Sequence, residues 1–180
     1  MSVIFQYGSN CTAARLNSPR RLNGHATDFG KAQTVGEYEI AFNVPSQTNG
    51  CAAADLVKAD GTGRHAWGVL YEVADEFIRG KRTDGQKTLE QIEGTLYEEK
   101  RILVRNEVGE EIEAITFLAK SKQPPEELWT SVAYVSYIVY GLRAHRVSED
   151  YIIHITKVAV QTNERAGEIA REQTRLIKYL

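Results

Sequence analysis

The feature that most constrains this fold is a change of period along the chain. Up to about residue 118 the apolar residues fall in short alternating or continuous runs, and from 126 onward they recur at helical spacing. Tyr38, Ile40, Phe42 and Val44 alternate with Glu39, Ala41 and Asn43, the pattern of a half-buried strand. Residues 45–50 are turn-forming, and 51–57 predict the returning strand. Another strand is predicted over 66–73, a short helix over 75–80, and a hairpin from 101–108 and 111–118. Residues 126–142 are apolar nearly all round, so this helix either packs on several sides or lies in a subunit interface, which leaves a homodimer open. Asn163 is expected to cap a last helix over about 163–180, packed on the domain or exposed. Its Glu164, Arg165, Glu168, Arg171, Glu172 and Arg175 read as a solvated face. Strands first and helices later, joined by hairpin-like links, predict a single α+β domain over 1–180.

Composition narrows the functional classes. The chain has 180 residues and a formal charge of −2 with both signs interspersed, so nothing forms the basic stripe that nucleic acid requires. Two cysteines, Cys11 and Cys51, give neither a disulfide framework nor a cysteine-based metal site. No histidine pair stands at the spacing of a zinc helix, and no metal site is expected. Gly61-Thr62-Gly63 lacks the following Lys-Ser/Thr of a phosphate-binding loop and reads as a plain turn. The apolar run at the start is broken by Gly8-Ser9-Asn10 and is too short for a signal peptide; 132–142 is too short to span a bilayer. A cytoplasmic protein without membrane contact is the expectation.

Two places carry chemistry. The first is Tyr7-Gly8-Ser9-Asn10, between a strand at Val3-Ile4-Phe5 and a helical pattern at Ala13, Ala14 and Leu16. Such a turn presents successive backbone N–H groups at a helix start, a cradle for a carboxylate or a developing oxyanion. Gly8 is suited there to a positive φ. The second is Glu93. Leu89, Ile92, Glu93 and Leu96 share one helix face, so Glu93 sets a carboxylate where the pattern asks for a hydrophobe. Thr88 and Gln91 predict a capping box, and Gly94 stops the helix just beyond Glu93. Partial burial and the negative end of the helix both raise the pKa of Glu93, toward that of a general base. A competing reading makes Cys11 a nucleophile with His25 or His65 as base, its thiol acidified at the start of the helix. His145, between Arg143 and Arg146, reads as a surface residue.

Tyr7-Gly8-Ser9-Asn10, then Trp67 to Val73, then Glu93-Gly94, then Pro124-Pro125, a long apolar helix, Gly141-Leu142 and Ser148-Glu149-Asp150-Tyr151 resemble, in that order, the γ-glutamylcyclotransferase-like family. The resemblance spans about the whole chain. It implies a small mixed β-barrel flanked by helices, with the loop and the Glu-Gly helix meeting at a cavity by the barrel mouth. By the same resemblance Glu93 is the general base, and Tyr7, Gly8, Ser9 and Asn10 hold a small-molecule γ-glutamyl substrate. In that reaction the substrate's own α-amine attacks its γ-carbonyl and releases 5-oxoproline, so no cofactor is implied. Tyr7 is expected to line the pocket and offer its hydroxyl. Two positions depart from the family. A tyrosine often following the strand near Leu118 is replaced by Lys120-Ser121-Lys122-Gln123, and the one commonly starting the strand after Glu-Gly gives way to Lys100-Arg101, with Tyr97 earlier. Lys120 or Lys122 is placed to meet an acidic leaving group.

Overall fold

The computed structural model describes residues 1–124 and 127–167. In chain order the elements are β1 (Ser2–Gln6), α1 (Ala13–Leu16), β2 (Ala26–Thr34), β3 (Tyr38–Ser46), β4 (Cys51–Lys58), β5 (Trp67–Val73), α2 (Leu89–Glu93), β6 (Tyr97–Asn106), β7 (Glu111–Ala119), α3 (Val132–Ala144) and α4 (Glu149–Arg165). The architecture is α+β, as the change of period predicts.

β1, β5, β2, β6 and β7 close into a barrel in that order. Neighbours are antiparallel except at the closing seam, where β1 and β7 run parallel around Ile4 and Ile115. The Thr116 hydroxyl pins that seam by donating to the Phe5 carbonyl at 2.9 Å. Ile4, Phe5, Leu70 and Tyr71 are fully buried, each such aliphatic or aromatic side chain contributing roughly 1.5–3 kcal/mol. The hairpin of β3 and β4 forms a separate two-stranded sheet.

Several boundaries depart from the sequence expectation for identifiable reasons. β2 has no readable alternation, because its register shifts between Asp28 and Gly30 and Thr27 to Phe29 are exposed. The segment 75–80 is a single 3₁₀ turn at Asp75–Phe77. β6 begins at Tyr97, four residues before the predicted start at Arg101. α3 begins at Val132, with Ser131 as its cap, and not at residue 126. The chain before it is held to β4 instead: Ala52 N–H donates to the Trp129 carbonyl at 2.7 Å, and the Thr130 hydroxyl donates to the Ala52 carbonyl at 2.9 Å.

Asn163 is not a cap but an interior residue of α4. Its buried side chain accepts from Thr130 N–H at 2.7 Å and donates to the Thr130 carbonyl at 3.0 Å. An amide that satisfies both polar groups of a buried residue in this way ties the end of α4 to the approach to α3. Glu168, Arg171, Glu172 and Arg175 lie outside the described residues. α3 buries Tyr134, Ile138 and Leu142 but leaves Tyr137 and Tyr140 exposed, so its apolar circumference is only partly covered. At Gly141 it lies so close to the Tyr7–Cys11 loop that a Cβ there would sit 2.3 Å from the Cys11 carbonyl carbon. No described helix is long and apolar enough to cross a membrane.

Candidate active site

β1 delivers Gln6 and Tyr7 into the interior, and the chain then turns beneath α3. Gly8 has φ −93° and ψ −152°, an extended conformation, so the positive φ expected of it is not used. Ser9–Cys11 forms one 3₁₀ turn whose first hydrogen bond runs from Cys11 N–H to the Gly8 carbonyl at 3.0 Å. The amides of Gly8, Ser9 and Asn10 precede that bond and stand outside the turn's own ladder. Because α1 is a single turn of four residues, little helix dipole adds to them.

Glu93 arrives from the other side of the cavity on α2. Thr88 and Gln91 close the predicted capping box, Thr88 N–H donating to Gln91 Oε1 at 3.0 Å. Gly94, at φ +77°, ends the helix immediately after the carboxylate; this left-handed conformation is one that glycine adopts without strain.

The loop and the helix meet through a three-residue relay. Arg21 Nη1 donates to Asn10 Oδ1 at 2.7 Å, and Asn10 Nδ2 donates to Glu93 Oε1 at 2.8 Å. An amide has one acceptor end, so the Arg21 contact fixes which end of Asn10 faces the carboxylate. Burial raises the Glu93 pKa above its ordinary 4.5, and hydrogen bonds from Asn10 and Gln6 together with the positive charges of Arg21 and Arg15 hold it partly down. The carboxylate is therefore partly desolvated yet oriented, a condition suited to taking and returning a proton.

Tyr7, Gly8, Ser9, Asn10 and Glu93 all line one cavity of about 30 Å³, with Tyr97, Phe117 and Tyr134 among the other walls. Three tyrosine hydroxyls are arranged there by backbone groups. Tyr7 donates to the Phe117 carbonyl at 2.5 Å, and Tyr97 donates to the Ala54 carbonyl at 2.7 Å. Tyr134 instead accepts from Ala54 N–H at 3.0 Å, so its own proton is left for Ser9 or for whatever enters the cavity. Burial pushes the Tyr7 and Tyr97 pKa values well above the ordinary phenol value and that of Tyr134 up to about 12, so all three stay neutral. Of the three tyrosines Tyr134 is thus the one whose proton is not given to a backbone carbonyl, and Tyr7, expected as a donor, has its proton engaged with Phe117.

Sequence reasoning missed Gln6, Arg21, Tyr97 and Tyr134. Tyr97 falls ahead of the strand that the pattern predicts from Arg101, whereas β6 begins at Tyr97 itself. Tyr134 shares its helix with Tyr137 and Tyr140, and no local signal separates the inward one from the outward two. The lysine expectation is also corrected at Lys122, which pairs at 3.0 Å with the fully buried Asp55, itself the acceptor for Ala119 N–H at 2.9 Å. Its charge therefore serves a structural contact.

The cysteine reading does not survive the geometry. Cys11 is fully buried, its thiol donates to the Gln6 carbonyl at 3.0 Å, and burial pushes its pKa up, opposite to an activated nucleophile. His25 stacks on Phe77 at 3.9 Å, and His65 Nδ1 faces the Thr34 carbonyl at 2.9 Å. His145 is not a free surface residue, since its ring bridges the Gly141 carbonyl and Asp28 at 2.7 Å each. Among the described residues no three His, Cys, Asp or Glu side chains cluster as a metal site requires.

No family model and no curated protein matches the sequence. Solved structures do match. A structure titled "Gamma-glutamyl cyclotransferase" superposes with a TM-score of 0.72 at 20% identity, over 98% of this chain and 98% of that one. An uncharacterized protein from Homo sapiens gives the same figures. YkqA from Bacillus subtilis superposes with a TM-score of 0.66 at 20% identity, over 87% of this chain and 53% of its own length. The chain has the γ-glutamylcyclotransferase-like fold, a small barrel flanked by helices. Its loop and its Glu-Gly helix meet at a common cavity, as the resemblance of the motifs implies.

Proposed function

We propose that the protein is a γ-glutamyl cyclotransferase. The observation that carries the reading is the approach of Glu93 to Asn10 at 2.8 Å, which sets an oriented, partly desolvated carboxylate against the Gly8–Asn10 amides in one cavity. Glu93 in its ionised form takes a proton from the α-ammonium of the substrate. The freed amine attacks the γ-carbonyl carbon, a C–N bond forms, and negative charge develops on the carbonyl oxygen. Amides of the loop and the Tyr134 hydroxyl are the donors available to that oxyanion. Collapse breaks the original amide C–N bond, and the departing nitrogen takes the proton back from Glu93. The second proton, shed by the ring nitrogen, passes by way of Glu93 to the released amine, which leaves as its ammonium. The products are 5-oxoproline and a free amine, with Glu93 ionised again.

The cavity's contribution beyond proton transfer is geometric. Cyclisation to a five-membered lactam needs the substrate chain folded so that amine and carbonyl lie about 3–3.5 Å apart. Incubation of the purified protein with a panel of γ-glutamyl peptides and γ-glutamyl amines, with 5-oxoproline as readout, tests the reading. Release from at least one conjugate, lost in Glu93→Gln, supports it; tight binding without release assigns the chain to a carboxylate-binding protein of the same fold.

A further inference from the structure

Asp55 is the one carboxylate fully buried among the described residues. It stands on β4 next to Ala54, where two of the cavity's tyrosines are tied. Tyr97 gives its hydroxyl proton to the Ala54 carbonyl, and Tyr134 accepts from Ala54 N–H. Burying a charge in such a place is costly unless it is both paired and hydrogen-bonded. Asp55 meets both conditions across the gap between the β3–β4 sheet and the barrel, which no ladder among the described strands bridges. Ala119 N–H donates to Asp55 Oδ1 at 2.9 Å, and the Lys122 ammonium stands 3.0 Å from Oδ2.

The place of Ala119 gives this contact its reach. It is the last residue of β7, and its partner across the β6–β7 ladder is Tyr97. The next residue, Lys120, donates its N–H to the Leu96 carbonyl at 3.0 Å, so Ala119 N–H faces the opposite edge of β7. On that edge β7 pairs with β1 only around Ile4 and Ile115. Phe117, two residues before Ala119, turns its carbonyl to the same edge and takes the Tyr7 hydroxyl there at 2.5 Å. Asp55 thus closes a ring of contacts that runs from Ala54 through Asp55 to Ala119, across the ladder to Tyr97, and by its hydroxyl back to Ala54. Its negative charge also favours the neutral phenols of Tyr7 and Tyr97. The anchored segment runs on to Gln123, whose N–H donates to the Asn43 carbonyl at 3.1 Å. With Glu93 and Tyr97, Gln123 walls a wider outer groove of about 590 Å³.

We infer that Asp55, balanced by Lys122, is a positioning residue that holds β4 to the end of β7 and thereby sets Tyr97 and Tyr7 in the cavity beside Glu93. Its effect on turnover rests on the cyclotransferase reading; its effect on the two rings does not.

Asp55→Ala removes the acceptor and lets the half-exposed Lys122 return to water, whereas Asp55→Asn keeps an acceptor for Ala119 N–H. The ring ¹H–¹³C signals of Tyr7 and Tyr97 are expected to move in Asp55→Ala and to stay near their wild-type positions in Asp55→Asn. On the γ-glutamyl conjugate that the wild type turns over best, kcat/KM should fall about ten-fold or more in Asp55→Ala and no more than about three-fold in Asp55→Asn. Rings unmoved or turnover undiminished in a folded Asp55→Ala overturns the inference, and so does an equal loss in the two variants. Should Asp55→Ala fail to fold, Asp55→Asn decides alone: rings and kcat/KM near wild type sustain the inference, while displaced rings or a loss of about ten-fold overturn it. Absence of 5-oxoproline from every conjugate with the wild type removes the cyclotransferase reading, and the ring signals still decide whether Asp55 positions the tyrosines.

Discussion

Asn10 and Glu93, 83 residues apart in sequence, meet through a 2.8 Å hydrogen bond from the Asn10 amide to one carboxylate oxygen. That contact joins the loop after β1 to the end of α2 and makes a single site of two motifs. It also explains why the loop asks for Asn at this position. A hydroxyl in place of the Asn10 amide would be too short to accept from Arg21 and reach Glu93 with a separate donor.

Glu93→Gln is expected to lower kcat by roughly 10²-fold or more while leaving ligand affinity and the melting temperature close to wild type. Glutamine keeps the shape and can still accept from Asn10, but it cannot take the α-ammonium proton. Steady-state kinetics with 5-oxoproline detection decide it; a variant with wild-type kcat means that Glu93 is not the base.

The raised pKa of Glu93 gives a pH dependence of definite sign. Folded Glu93 keeps its proton at pH values where the unfolded chain has lost it, so its contribution to stability is full below 4.5 and is lost as pH rises through the folded value. Between those two values the wild type should therefore lose stability relative to Glu93→Gln as pH increases. Activity runs the other way, because the ionised form is the base, and kcat/KM should climb over the same rise in pH. Denaturation midpoints and rate profiles measured on the same buffers check both slopes.

Arg21 acts on Glu93 through Asn10 and through its own charge, and is a positioning residue in the proposed reaction. Arg21→Met removes both effects, so the pKa of Glu93 should rise and the acid limb of the kcat/KM profile should move to higher pH. Arg21→Lys keeps the charge and should return the limb toward its wild-type position. If neither variant moves the limb, Arg21 supports the fold and not the carboxylate.

Much of the site was legible in the sequence because its parts are local. The capping box at Thr88 and Gln91, the stop at Gly94 and the misplaced carboxylate of Glu93 all lie within seven residues and obey helix rules readable without tertiary contacts. The hairpin of β3 and β4 was legible for the same reason, its alternation running unbroken up to Asn43, where the register shifts. What escaped is what only tertiary packing around the barrel decides. Tyr134 and Tyr97 become cavity walls because both reach the backbone of Ala54, on a strand that neither adjoins in sequence. Asn163 reads as a cap by residue type, yet its partner is Thr130, 33 residues earlier. The Gly8 expectation failed because the turn is made by the 3₁₀ bond from Cys11 N–H, which spares Gly8 from leaving the extended region.

Cys11→Ser is expected to stay active within a few-fold, since the thiol's neighbour is the Gln6 carbonyl and the nucleophile in the proposed reaction belongs to the substrate. A serine hydroxyl can donate to the same carbonyl. Inactivation of this variant, together with labelling of Cys11 by a thiol reagent in the native protein, would restore the nucleophilic reading that burial argues against.

Gly8→Ala separates the shape of the cavity from the geometry of its backbone. The observed φ and ψ of Gly8 are open to alanine, and the added methyl would lie 3.5 Å from Tyr134 Oη and 3.7 Å from Ala54 Cβ, ordinary contact distances. Stability should therefore change by less than about 1 kcal/mol. The methyl nevertheless stands at the wall of a cavity of about 30 Å³ and beside the Tyr134 hydroxyl, so the substrate must move to accommodate it. A displacement of the reacting carbonyl of about 1 Å lowers kcat/KM by about 10²-fold. Tyr134→Phe is the companion variant: it removes the hydroxyl, leaves the Ala54 N–H without its acceptor, and should cost about 1–3 kcal/mol as well as activity. Thermal melts and kinetics on both variants distinguish the two effects. Should Gly8→Ala prove as active as the wild type, the substrate does not enter this cavity, and the site must be sought in the outer groove alone.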